Sequence, residues 1–209
     1  MHQSDIGHQL WYNAGRSPLS HLDSQRIKWA ANHQKVDTPS WDIYFMSFAI
    51  LASSRSQDSQ NQNGCVIVKD RVIVGPGYNS FPKNLNDSYL PNIRPLKQRF
   101  MSHAESNCLR NISVNNLQNS DAYITSFPCL DCLIDLYSKD VKSLYVLPNK
   151  SSVFNSYTDH EKSIYLEIIT VGGVTIHEFD EDDLKSITAL LFSASKNPHL
   201  KLDKTENAS

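Results

Sequence analysis

Cysteine is scarce in this 209-residue chain, and two of its four cysteines stand three residues apart in the stretch SFPCLDC, Ser126 to Cys132. Thiols at that spacing can be a redox couple, a disulfide, two metal ligands or two small apolar side chains in a core. Pro128 suits the first turn of a helix, where its missing N–H costs nothing, so Cys129 and Cys132 are expected at i and i+3 on one face. Both thiolates can then reach one metal, and the partial positive charge of a helix N-terminus favours the ionised form that a metal requires. A closed structural zinc site takes four protein ligands, so two thiols alone do not make one.

The best candidate for a third ligand is His103, in SHAES, which opens another helix just ahead of the strand that feeds the cysteine helix. Two successive strand-to-helix turns in one sheet bring both helix N-termini to the same edge, where imidazole and thiols can meet. Three protein ligands with the fourth position open to water describe a catalytic zinc. Neutral imidazole, two thiolates and Zn²⁺ sum to no net charge, and the metal makes its water acidic enough to yield hydroxide near neutral pH. Glu105 lies two residues after His103. In mid-helix that spacing turns the side chains roughly 200° apart. At a helix start, with His103 in non-helical geometry, they can converge, and a carboxylate beside the water can move its proton.

Elements able to hold these groups can be read around them. Ile43, Phe45, Met46, Ala49 and Ile50 recur at helical spacing behind a candidate N-cap, Ser40, which predicts a helix over 41–54. Cys65–Val68 and Val72–Val74, joined by Lys69, Asp70 and Arg71, read as an antiparallel hairpin apolar enough to be covered on both faces. Helix HAESNCLRNI, strand DAYITS, a helix opening at Pro128, strand VKSLYVLP, a helix in DHEKSIYLEIITV, strand VTIHEF and a helix over 181–195 follow. This alternation predicts an α/β fold, a three-layer α/β/α sandwich with a mixed sheet of about five strands. Residues 1–38 read as a polar N-terminal extension with one helical candidate, SQRIKWAANHQKV. Residues 39–195 read as the domain, and 196–209 as a loose tail.

The composition, 40% hydrophobic and 20% charged, is globular. A net charge of −2 gives no overall pull toward a nucleic-acid polymer or an anionic membrane, so neither is expected as a partner. The N-terminus has no basic and apolar leader, and no apolar run reaches membrane-spanning length. A cytoplasmic, reducing location is therefore expected, in which closely spaced cysteines serve metals or catalysis more often than disulfides.

His-x-Glu followed by Pro-Cys-x-x-Cys is the signature of zinc-dependent nucleobase deaminases. With WDIYFMSFAILASSRSQDSQNQNGCVIV, IVGPGYNSFP, HAESNCLRN, YITSFPCLDC and VGGVTIHEF in this order, residues 41–180 resemble a deoxycytidylate deaminase. The resemblance implies a cytidine deaminase-like fold and hydrolysis of dCMP to dUMP and ammonia, with dUMP feeding thymidylate synthesis. It implies zinc held by His103, Cys129 and Cys132, a zinc-bound hydroxide, and Glu105 as proton shuttle. Carried over by position, Asn79 of GYN holds the deoxyribose, Arg55, Ser56 and Tyr157 serve the phosphate end, and Ala104 joins the substrate contacts. A homo-oligomer, commonly a hexamer, is also implied. Asn63-Gly64-Cys65 stands where the family has Val-Gly-Ala, Ser80 replaces a glycine after GYN, and FPKNLNDS lacks glycine. These departures bear on the dCTP/dTTP effector site and put such regulation in doubt.

Blander readings stand beside these. Cys65 and Cys108 sit in apolar stretches without ligand-spaced partners and read as core. The basic cluster Arg94, Lys97 and Arg99 could neutralise a phosphate but reads as a solvated loop. Alternative substrates are 5-substituted dCMP, dCTP or adenosine in tRNA, and a non-catalytic zinc-binding module is the alternative from another class.

Overall fold

The computed structural model describes residues 38–84, 89–113, 117–148 and 156–195, of which all but Thr38 belong to the unit Pro39–Ser209. The N-terminal extension with its helical candidate, the second half of the FPKNLNDS loop and the tail 196–209 lie outside the described residues.

Helix α1, Trp41–Ser53, starts as its sequence predicts, with the Ser40 hydroxyl accepting from Ile43 N at 3.3 Å. Its Ile43, Phe45, Met46 and Ala49 are buried. Strands β1, Gly64–Lys69, and β2, Val72–Tyr78, form the expected hairpin. Both central residues of its turn, Asp70 and Arg71, have φ of 51° and 62°, the left-handed pair that matches the twist of flanking strands in the tightest hairpins.

Helix α2, Ala104–Asn111, strand β3, Asp121–Ile124, helix α3, Leu130–Ser138, and strand β4, Ser143–Val146, follow. Helix α4, Asp159–Thr170, strand β5, Thr175–Glu178, and helix α5, Glu181–Ser195, complete the described order. The sheet runs β2-β1-β3-β4-β5. Its hairpin is antiparallel to β3, while β3, β4 and β5 are parallel. The mixed five-stranded α/β sheet of the sequence reading is therefore what forms. One expectation fails: β1 is covered on both faces, but β2 is the edge strand, with Val72 61% exposed. Pro76, which cannot donate to a ladder, is at home only on such an edge.

Alternation along the strands builds two cores. Val66, Val68 and Tyr123 face Ile43, Phe45, Met46 and Ala49 of α1 and Ile187 of α5. Cys65, Ile67, Ala122, Ile124, Leu144 and Val146 face Cys108 of α2, Leu133 and Leu136 of α3 and Tyr165 of α4. Each fully buried aliphatic side chain removes enough apolar surface from water to favour folding by about 1.5–3 kcal/mol. Cys65 and Cys108, both fully buried, are core residues as read from the sequence. No helix among the described residues is long and apolar enough to cross a membrane.

Candidate functional site

His103 is aimed by what lies just before and after it. Ser80 and Ser102 pair as a short antiparallel bridge, with N···O distances of 3.1 and 2.9 Å, which ties the end of β2 to the residue preceding the histidine. Helix α2 then settles directly on β2: a Cβ on Gly77 would lie 2.3 Å from Ala104 O and 2.4 Å from Cys108 N, so only glycine allows this approach. His103 is the N-cap, with φ −73° and ψ 158°, and Glu105 sits in the first turn. That is the non-helical start the His-x-Glu spacing needs for convergence.

The cysteine helix begins two residues later than expected. Helix α3 starts at Leu130, and Cys129 is its N-cap at φ −70°, ψ 168°, with Pro128 outside the helix. The Cys129 carbonyl accepts from Leu133 N at 2.9 Å, so the cap is engaged with the first turn and still brings its thiol beside that of Cys132. His103 Nδ1 lies 3.3 Å from Cys129 Sγ and 3.4 Å from Cys132 Sγ. All three donor atoms fall within 4.8 Å of one another. Tetrahedral zinc with Zn–N and Zn–S bonds of the usual lengths holds such atoms about 3.5 Å apart, so the donor set fits the ion in chemistry and in spacing.

Protonation differs sharply among these groups. The hydrogen bond to Cys132 and then that to His103, against the opposing effect of burial, hold the Cys129 thiol down at about 4. The bond to Cys129 outweighs burial to push His103 up to about 9. Cys132 moves up through its bond to Cys129 and through burial. The donor set thus gives up one thiol proton readily, and a dication among the three is what favours release of the second. Burial pushes the Glu105 carboxyl up from the usual carboxylate range.

Further residues brace the thiols. Tyr157 Oη accepts from Leu130 N at 2.7 Å, and Tyr165 Oη donates to Pro128 O at 3.2 Å, so two tyrosines grip the backbone on either side of Cys129. Ser106 Oγ lies 3.8 Å from Cys132 Sγ. Tyr165 and Ser106 had no signal in the sequence beyond membership of their helices.

Across from the metal ligands, one cavity of about 800 Å³ is shared by His103, Glu105 and Cys129 with Asp58, Asn79, Arg94 and Lys97. Here the solvated-loop reading of the basic cluster is overturned for Lys97, which is only 2% exposed and ion-paired with Asp58 Oδ1. It occupies a short helical turn, Leu96–Arg99, whose path carries it inward while Arg94 and Arg99 stay exposed. Asp58 also accepts from Gln60 N at 2.7 Å and Asn61 N at 2.9 Å, an Asx-type turn. Burial alone would push its carboxyl up, but Lys97 and these N–H groups more than offset that and hold it below the usual range.

Asn79 is locked into the same network. Its Nδ2 donates to Asn61 O at 2.8 Å and Asp58 Oδ2 at 3.3 Å, and its Oδ1 accepts from Asn63 N at 2.8 Å. Of the sequence candidates, Asn79, His103, Glu105 and Cys129 line the cavity, and Cys132 completes the donor set from beneath. Arg55, Ser56, Tyr157 and Ala104 do not line it. Arg55 is exposed, Ser56 Oγ donates to Asn79 O at 2.9 Å, Ala104 is fully buried, and Tyr157 turns its hydroxyl to Leu130.

Residues 39–147 match the family described as the cytidine and deoxycytidylate deaminase zinc-binding region. Human deoxycytidylate deaminase is 28% identical over 154 residues, 70% of this chain and 83% of that protein. A probable deoxycytidylate deaminase of Caenorhabditis elegans is 34% identical over 134 residues, 60% of this chain and 68% of that one. Among solved structures, the dCMP deaminase of cyanophage S-TIM5 in complex with dCMP and dUMP shares the fold. Its TM-score is 0.54 and its identity 24%, over 70% of this chain and 100% of that one.

Proposed function

The chain belongs to the cytidine and deoxycytidylate deaminase family, and from that premise we propose that it hydrolyses dCMP to dUMP and ammonia. The observation that carries this reading is the convergence of His103, Cys129 and Cys132 with the buried carboxyl of Glu105. A binding module stabilised by zinc has no use for a carboxyl in that position.

His103 Nδ1 and the two thiolates would hold the zinc, which when bound supplies a Lewis acid that makes water acidic near neutral pH. Glu105 takes a proton from the attacking water as its oxygen bonds to C4 of cytosine, and delivers it to N3. It then passes the second proton to the departing amine, so that the C4–N4 bond breaks to release ammonia and leave the carbonyl of dUMP. A carboxyl raised by burial suits both steps, since it must accept and return a proton in each turnover. Asn79, with one lone pair left on Oδ1, is suited to accept from a sugar hydroxyl, and its fixed carboxamide would orient the deoxyribose.

The same reading carries a homo-oligomer, hexameric in the family's common form, and a reducing, cytoplasmic setting that keeps the thiols as ligands. Control by dCTP or dTTP is tested by adding each to the assay.

The test is ammonia release from dCMP by the zinc-loaded protein, measured beside deoxycytidine, dCTP and 5-substituted dCMP at equal concentration. Glu105→Ala is expected to lower turnover by at least about 10²–10⁴-fold while zinc stays bound. Turnover retained in that variant, or preference for a polynucleotide, would overturn the reading.

A further inference from the structure

The cavity's charges leave one cation unassigned. Besides the metal ligand His103, the charged side chains lining it among the described residues are Asp58, Arg94, Lys97 and Glu105. Lys97 and Asp58 form a buried pair and cancel, and Glu105 stands at the metal ligands. Arg94 takes part in no ion pair among the described residues. It is nonetheless held in place. With the Asn61 carboxamide turned so that its nitrogen donates to Gln60 O at 2.8 Å, its oxygen accepts from Arg94 Nη2 at 2.5 Å.

That tether joins the guanidinium to the loop whose Asn61 O and Asp58 fix Asn79. Among the described residues one of five guanidinium N–H donors is used, which leaves the others for a ligand. The planar fork matches phosphate oxygens in pairs, and an exposed position at the cavity's margin suits the end of a ligand that stays hydrated. A volume of about 800 Å³ is more than a nucleobase fills and lies in the range of ligand-sized sites. Arg55 and Arg99 are exposed and do not line it.

We propose that Arg94 is the phosphate-recognising, specificity-determining residue of this site, the group that selects a nucleoside 5′-monophosphate over the unphosphorylated nucleoside. This rests on the deaminase reading above. It differs from the sequence expectation, which gave the phosphate end to Arg55, Ser56 and Tyr157.

The experiment compares kcat/KM for dCMP with kcat/KM for deoxycytidine in the zinc-loaded wild type, Arg94→Ala, Arg94→Lys and Arg55→Ala. Loss of a charge-assisted contact predicts that Arg94→Ala lowers the dCMP-to-deoxycytidine ratio roughly 10–100-fold, through KM for dCMP rather than kcat. Arg94→Lys should recover part of it, since the charge returns without the fork, and Arg55→Ala should keep the wild-type ratio. A ratio unchanged in Arg94→Ala, or one that collapses in Arg55→Ala instead, overturns the assignment. A wild type that deaminates neither compound would sink the deaminase reading, an outcome separate from either of these. An equal fall for both substrates in Arg94→Ala would mean a structural role and also overturns the proposal.

Discussion

The cavity has two walls built on different principles. One is made of His103, Glu105, Cys129 and Cys132, two pairs of neighbours at two helix starts. The other is made of Asp58, Asn79, Arg94 and Lys97, drawn from three loops and tied by contacts spanning 21 and 39 residues. The first wall takes its geometry from secondary structure: an N-cap has extended backbone, so the capping residue and its first-turn neighbour turn toward the same point. The second takes its geometry from pairing, because a buried cation and a buried carboxylate are each untenable alone. The wall fixed by helix starts suits a metal, which demands set distances. The wall fixed by mutual charge suits a ligand that must be gripped and released.

If that division is right, damage to the two walls should fail in different ways. The largest effect is expected from Cys132→Ala, which removes a donor and leaves two. Zinc content should fall well below one per chain and deamination should drop to background, while urea unfolding of the metal-free proteins changes little beyond the loss of one small buried side chain. Zinc stoichiometry with ammonia release checks it. Retained activity at full zinc content would show that the metal wall does not depend on this thiol.

Lys97→Ala should show the opposite pattern, with stability lost first. An uncompensated buried carboxylate costs about 3–5 kcal/mol. In the native protein the Asp58 carboxyl titrates below its unfolded value of about 3.9. Its contribution is therefore complete above that pH and is lost as pH falls through the lowered native value. Without Lys97, burial loses its main counterweight and pushes the carboxyl up. The deficit of the variant should be largest near neutral pH and shrink on acidification toward about pH 4 as Asp58 takes up a proton. Urea midpoints at both pH values check this, and a deficit independent of pH would mean that the charge of Asp58 is not what Lys97 offsets.

The two walls were also unequally legible in the sequence. His-x-Glu and Pro-Cys-x-x-Cys are local spacings, and helix starts convert local spacing into shared direction, so the metal wall could be read down to the non-helical state of His103. The exact cap could not: Pro128 fits both a first helical turn and the residue before an N-cap, and the sequence does not separate them. The alternation of strands and helices gave the sheet, but not that β2 lies at its edge, because Val72-Ile73-Val74 is as apolar as a central strand and only the strand order decides exposure. Lys97 was misread for a deeper reason. A basic residue in a polar loop is solvated unless a carboxylate waits inside, and Asp58 stands 39 residues away with nothing in the sequence to link them.

The metal wall is not wholly local either, and Tyr157→Phe measures how far it leans on distant support. Tyr157 Oη accepts from Leu130 N at 2.7 Å, one of the orphan donors of the first turn of α3. Tyr165 Oη holds Pro128 O on the other side of Cys129. Removing one hydroxyl leaves the ligands in place but loosens the turn that carries one of them. A net loss of about 1 kcal/mol in stability is expected from the missing hydrogen bond. Outer supports of this kind shift metal affinity by up to roughly 10–100-fold; with Tyr165 still in place, the lower end is expected. Competition with a zinc chelator reads that shift directly, and kcat at saturating zinc should stay within a few-fold of wild type. If chelator competition is unchanged, Tyr157 belongs to the fold of α4 alone. If kcat collapses at full zinc occupancy, the hydroxyl acts in the cavity, and the line drawn between the two walls falls in the wrong place.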